Sequence, residues 1–339
     1  MADDAGEGQG WSPLEGGHPP PPPPGYGALQ PPPPPPPPPS PYGPNSWGPY
    51  RPKAGDARTG PLPLHPMTLS DILDGAFKLY KANARTLILI TAAFVVPVQL
   101  AAAFLQRNIF GGESVIKVFN DPTSARLSQT SSTAQDIGQL LVFLASILVM
   151  PFVAGAISRV VAGSYLGHKI EPGDALRATG RRWWALTAGW FLVHIVEAVG
   201  FVFCILPGFL LMALFVAVAP AIVVEELGPI QGMRRSARLV KSRIWAVLGV
   251  ALVAGLMASV IGGALGFIPQ IAAFVVGLEW GWLLLAAGAI LVGVVTTPFV
   301  AIVSTLIYFD GRIRREGFDL AVMAGDMARR GDRYGAAGT

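Results

Sequence analysis

Long apolar runs alternate with short charged segments over most of this chain, and each run has the length of a membrane crossing. Spanning the hydrocarbon core takes about 20 predominantly apolar residues in helical form. Residues 86–106, TLILITAAFVVPVQLAAAFLQ, meet that requirement, as do 138–158. Residues 183–224 form an apolar run of 42 positions, about twice one span, divided by ILPG at 205–208. Pro207 and Gly208 predict a tight turn there, giving spans 183–204 and 207–224. Residues 244–268 and 282–309 complete six. The expected fold class is an all-α integral membrane protein with six transmembrane helices.

A second pattern precedes the odd-numbered spans. In TLSDILDGAFKLYK, residues 68–81, Leu69, Ile72, Leu73, Ala76, Phe77 and Tyr80 recur at helical spacing. Asp71, Asp74, Lys78 and Lys81 share the opposite face, and Thr68 and Asp71 have the spacing of a capping box. In GPIQGMRRSARLVKSRI the apolar positions are Ile230, Met233, Ala237, Val240 and Ile244, with Arg234, Arg235, Arg238 and Lys241 as the polar face. AFKLYK (76–81) and SARLVK (236–241) align without gaps, and EPGDALRATGRRWW (171–184) is a weaker third copy. Two accounts stand side by side: a threefold repeat of interfacial helix plus helical hairpin, or the common look of any interfacial helix before a span.

The basic residues set the orientation. Six precede the first span, five lie in 159–182, five in 225–243 and six in the C-terminal tail. The alternate segments hold three (107–137), none (205–208) and none (269–281). Positively charged loops stay on the cytoplasmic side, so the expectation is a cell (cytoplasmic) membrane protein with both termini in the cytoplasm. Arg312, Arg314 and Arg315, in LIYFDGRIRREGFDL, then mark where the chain leaves the membrane. With Arg234, Arg235, Arg238 and Lys241 they are expected to contact anionic lipid head groups. A net charge of +4 would suggest nucleic acid in a soluble protein. Here the clusters sit between apolar runs, and no nucleic-acid partner is expected.

Composition divides the chain into a disordered proline-rich tail (1–66), a membrane domain (67–322) and a short tail (323–339). Residues 1–66 carry 23 of the 32 prolines, including runs at 19–24 and 31–39. Such a segment buries too little apolar surface to offset chain entropy and favours extended polyproline II. It reads as a docking ligand for a protein partner or as a spacer. No apolar stretch in the first 60 residues predicts a signal peptide, and the lone Cys204 has no partner for an internal disulfide.

Candidate chemistry lies inside the membrane. His194 and Glu197, i and i+3 in the middle third of the third span, share a helix face. Ionisable groups at that depth cost a few kcal/mol and mark functional sites by default. They predict either a proton or cation site, with Gln99, Thr296 and Thr297 opposite, or neutral hydrogen-bonded packing between helices. A metal site needs a third ligand, and none lies at matching depth. Pro97, Pro151, Pro220 and Pro298 are expected to bend their spans. Glu225 and Glu226 read as a solvated pair ending span four. No Walker loop, HExxH, GxSxG or CxxC occurs, and GGALG at 262–266 lacks the strand–turn–helix context of a dinucleotide site.

MTLSDILDGAFKLYKANARTLILI, EELGPIQGMRRSARLVKSRIWAVLG and LIYFDGRIRREGFDL together resemble the bacterial glycerophosphoryl diester phosphodiesterase membrane domain family, over about residues 66–322. The resemblance implies a six-helix membrane domain, which in some relatives is fused ahead of a catalytic TIM barrel. Only 29 residues follow Asp310 and the barrel's His-Arg dipeptide is absent, so no phosphodiesterase activity is expected to come with the resemblance. Neither enzyme activity nor a cofactor is expected. Two functional classes remain: a membrane scaffold or accessory subunit, and a small-solute or ion transporter built on Glu197 and His194.

Overall fold

The computed structural model describes residues 66–106, 133–167, 169–276, 278–318 and 322. The proline-rich tail, most of segment 107–137 and the C-terminal tail from 323 lie outside the described residues. Within them the chain forms α1 (Leu69–Gln106), α2 (Thr133–Tyr165), α3 (Pro172–Gly180), α4 (Trp183–Phe203), α5 (Ile205–Phe215), α6 (Val218–Val224), α7 (Pro229–Val240), α8 (Ile244–Val276) and α9 (Leu278–Glu316). Six segments are long and apolar enough to cross a membrane: α1, α2, α4, α5 with α6, α8 and α9. The expected all-helical class with six spans is what the chain adopts.

Helix starts follow local chemistry. The Thr68 N–H donates to Asp71 Oδ2 at 2.9 Å and the Asp71 N–H donates to Thr68 Oγ1 at 3.3 Å, the anticipated capping box. Asn83 then departs from helical dihedrals (φ −121°, ψ 15°). Its Nδ2 donates to the Leu79 carbonyl at 3.0 Å and to Ser164 Oγ on α2 at 2.8 Å. A side chain that takes an i−4 carbonyl kinks the helix. The amphipathic first turns and the first span are therefore one bent element.

The turn between spans three and four is shorter than ILPG suggests. Cys204 alone is extended (φ −172°, ψ 151°), and Pro207 lies in the first turn of α5. Proline is tolerated there because the first-turn N–H groups have no helical acceptor. Gly208 serves packing: a Cβ on it would run into the Phe201 ring of α4, and a Cβ on Gly200 would stand 3.2 Å from Gly208 Cα.

The two interfacial stretches match in three dimensions as well as in sequence. Ile72, Gly75, Ala76 and Leu79 are buried, and so are Gly232, Arg235, Ser236 and Leu239, which fall in the same register when the gapless alignment is extended toward the N-terminus. The kink at Asn83 likewise corresponds to the 3₁₀ turn Lys241–Arg243 after α7. The shared burial and shared break relate these two copies of the pattern.

The core sits toward one end of the bundle. The largest fully buried side chains, among them Leu79, Ile157, Leu186, Ile222, Tyr308 and Phe309, belong to the helix portions nearest the arginine clusters. Toward the opposite end, Val202, Phe203, Ile268 and Val275 are 65–86% exposed. Trp183, Trp184 and Trp245 stand exposed at the arginine-rich ends of α4 and α8, and Trp280 at the far end of α9. Tryptophan concentrates at both membrane–water boundaries, so these rings bracket an apolar slab.

Candidate functional site

The polar residues expected to converge inside the spans do not. His194 is exposed on the flank of α4, its ring stacked on Trp190 at 3.9 Å and Nδ1 lying 2.9 Å from the Trp190 carbonyl oxygen. Glu197 is half-buried on the same helix and makes no hydrogen bond or ion pair among the described residues. The main packing partners of α4 are α2, α5, α6 and α7. Gln99 and Thr296–Thr297 sit instead on α1 and α9, which pack on each other. The Thr296 hydroxyl donates to the Val292 carbonyl of its own helix at 2.8 Å. His194 and Glu197 thus share a helix, as predicted, while Gln99, Thr296 and Thr297 belong to a different packing group.

What does converge lies at the arginine-rich end. The fourth span is broken: α5 stops at Phe215 and α6 starts at Val218, with Ala217 outside helical geometry (φ −95°, ψ 15°). A break frees backbone groups that must find partners away from water. Ser236 of α7 donates to the Leu214 carbonyl at 2.8 Å and accepts from the Ala217 N–H at 3.2 Å. Ser304 of α9 donates to the Val216 carbonyl at 2.6 Å. Two serines from other helices therefore close the break. Neither stood out in the sequence, because a serine in a helix carries no mark of which distant backbone group it will meet.

Beside the break, Arg235 points inward. Its side chain is 6% exposed, and Nε donates to both Glu225 oxygens at 2.8 Å. Nη1 and Nη2 donate to the two oxygens of Glu316, Nη2 at 2.8 Å. Tyr308 donates its hydroxyl hydrogen to Glu225 Oε1 at 2.7 Å. Arg312 donates to Glu316 Oε2 at 3.2 Å and lies over the Phe318 ring at 4.2 Å. A buried arginine held by two bidentate carboxylates is paired and hydrogen-bonded, as burial of charge demands. Glu316 lies two turns past Phe309, where the apolar part of α9 ends. Burial alone would raise its carboxyl, but the Arg235 hydrogen bonds, with the charges of Arg235 and Arg312, hold it below the usual carboxylate range.

A second clamp gathers at Asp310, whose side chain is 9% exposed. It accepts from the Met67 N–H at 2.8 Å, Arg314 Nε at 2.8 Å and Arg243 Nη1 at 3.1 Å. Arg314 also donates to the Met67 carbonyl at 2.7 Å. The clamp ties the start of the membrane domain to the end of α9 and the 3₁₀ turn before α8.

This geometry revises three expectations. Arg235 lies on the buried face of α7, not its polar face, because Glu225 and Glu316 wait there. Glu225 is correspondingly 11% exposed rather than solvated. Arg312 and Arg314, expected to contact lipid head groups where the chain leaves the membrane, sit in the final turns of α9 and hydrogen-bond to protein acceptors. Arg234, Arg238, Lys241 and Arg315 remain exposed.

Comparison with known proteins gives one family and no characterised counterpart. Neither the curated proteins nor the solved structures contain a match. A family model described as a domain of unknown function, DUF7847, matches residues 141–310. That stretch runs from the second span to Asp310, taking in the sealed break, Glu225, Arg235 and Tyr308. The family found is not the phosphodiesterase membrane domain that the sequence resembles. With half of its length matched, the chain belongs to the DUF7847 family of unknown function.

Proposed function

We propose that this protein is a non-enzymatic membrane scaffold or accessory subunit, with both termini in the cytoplasm of a cell bounded by its cytoplasmic membrane. The observation that carries this reading is the contrast between the two polar regions. Inside the spans, His194 and Glu197 stand apart from Gln99, Thr296 and Thr297, and the break in the fourth span is closed by Ser236 and Ser304. A solute pathway needs polar groups left free to bind. At the arginine-rich end, by contrast, the ion pairs of Arg235 and Asp310 join four helices into a stiff platform. The distribution of basic residues supports a cytoplasmic location for that platform. The resemblance to a membrane domain that anchors enzymes in other chains agrees with an accessory role, and the proline-rich tail supplies a ligand for a groove on a partner.

A second reading rests on Glu197 alone. A carboxyl at mid-span without a hydrogen bond among the described residues is what a small-solute or ion transporter would use, with His194 as its coupled neighbour.

Crosslinking followed by affinity purification from native membranes, comparing the full chain with one lacking residues 1–66, tests the first reading. A specific partner captured by the full chain and lost with the tail is the expected result. The same empty capture from both rejects docking through the tail. Loss of a measurable solute flux in Glu197→Gln, at normal expression, would establish the transporter instead.

A further inference from the structure

We infer that α7 and its C-cap residue carry a binding site for the head groups of anionic phospholipids, formed by Arg234, Arg238 and Lys241. The structure divides the basic residues of this helix and its C-cap into two sets. Arg235 is turned inward and fully engaged by Glu225 and Glu316. Arg234, Arg238 and Lys241 are exposed and form no ion pair with any acid among the described residues. Their spacing, i, i+4 and i+7, places them on one face. The buried set Gly232, Arg235, Ser236 and Leu239 occupies the other.

Two apolar groups commit this face to lipid rather than to nucleic acid or an acidic protein. Ile230 is 56% exposed one turn before Arg234, and Trp245 is 63% exposed one turn after Lys241 at the start of a membrane-length helix. Cations bracketed by a branched aliphatic side chain and a tryptophan suit the boundary layer. There the apolar ends enter the acyl region and the charges meet phosphates.

Arg235 acts on the site through position. Its two bidentate carboxylates fix the rotation of α7 about its own axis, so the three cations stay together on the outward face. This inference needs only that α7 lie at a membrane surface and does not depend on the scaffold reading.

The test uses the full chain in nanodiscs of phosphatidylcholine doped with spin-labelled phosphatidylglycerol or spin-labelled phosphatidylcholine. The expected result is a preference of at least about threefold for immobilising the anionic probe, weakened by high salt. Arg234→Gln/Arg238→Gln/Lys241→Gln should bring the ratio close to one while leaving the melting temperature unchanged. Arg234→Lys/Arg238→Lys should retain the preference. No preference in the wild type, or one that survives the triple glutamine variant, overturns the site. So would a preference lost equally in the lysine variant, because head-group attraction requires only the charge.

Discussion

Arg235 and Glu316 meet through paired hydrogen bonds although 81 residues separate them in the chain. The contact links an interfacial helix to the last turn of α9, two turns past its apolar stretch, and Glu225 completes it from the end of the fourth span. Breaking a buried ion pair by removing one partner leaves an uncompensated charge and costs about 3–5 kcal/mol. Arg235→Ala strands two carboxylates, so it should lower stability by that order, read as a fall in melting temperature of the detergent-purified chain. Arg235→Lys keeps the charge but not the fork that serves two carboxylates at once, and should recover only part of the loss. A wild-type melting curve for Arg235→Ala would show that the network does not hold the platform together.

The same network sets a pH dependence. Glu316 is held below the usual carboxylate range. A depressed folded pKa means the contribution is fully present above the unfolded carboxylate value and is lost as pH falls through the folded one. Stability should therefore owe nothing to this group's titration between neutral pH and about pH 5, then decline below about pH 4. Glu316→Gln starts less stable and should show a shallower acid decline. Melting curves of both chains across that range decide it, and parallel declines would remove Glu316 as a source.

Sealing of the broken span can be probed one hydroxyl at a time. Ser236→Ala removes the donor to the Leu214 carbonyl and the acceptor for the Ala217 N–H; Ser304→Ala removes the donor to the Val216 carbonyl. Leaving a buried backbone group unsatisfied costs about 1–3 kcal/mol. Both variants should destabilise, Ser236→Ala more because it orphans two groups. Ser259, exposed on α8 and bonded only to the Gly255 carbonyl of its own helix, is the control: Ser259→Ala should stay near wild type. Equal stability of all three would mean that the break needs no closing.

The architecture was legible where the signal is local. Apolar length and charge alternation gave six spans, and the Thr68–Asp71 spacing gave the first helix start. Periodicity also gave the existence of α7 but not its rotation. Arg235 looks polar in sequence, and the groups that pull it inward lie 10 and 81 residues away. One clue was available: extended by one residue toward the N-terminus, the gapless alignment of AFKLYK with SARLVK sets Arg235 opposite Gly75, a small residue suited to a buried face. Pro207–Gly208 misled for a related reason. Both residues are turn formers, yet a proline also fits a first helical turn, and this glycine is required by a neighbouring helix. The His194–Glu197 pair was legible as a pair because it lies on one helix; its separation from Gln99 and Thr296 depends on the packing order of helices, which local pattern does not encode.

The glycine facing Gly208 across the hairpin, Gly200, yields the last prediction. Between α4 and α5 only Cys204 is extended, so the two helices must approach closely at once. A Cβ on Gly200 would stand 3.2 Å from Gly208 Cα and 3.3 Å from its nitrogen, and 2.6 Å from a Leu211 methyl. The methyl can rotate away, but the backbone atoms cannot. Overpacking of this kind costs about 1–3 kcal/mol, enough to push the hairpin apart. Gly200→Ala should therefore lower the melting temperature even though alanine is the better helix former by about 0.5–1 kcal/mol. Gly173, on α3, separates the two effects: a Cβ there meets nothing within 4 Å. Gly173→Ala should be neutral or slightly stabilising in the same detergent. If Gly200→Ala instead tracked Gly173→Ala, the close crossing of α4 and α5 would not exist in the folded protein.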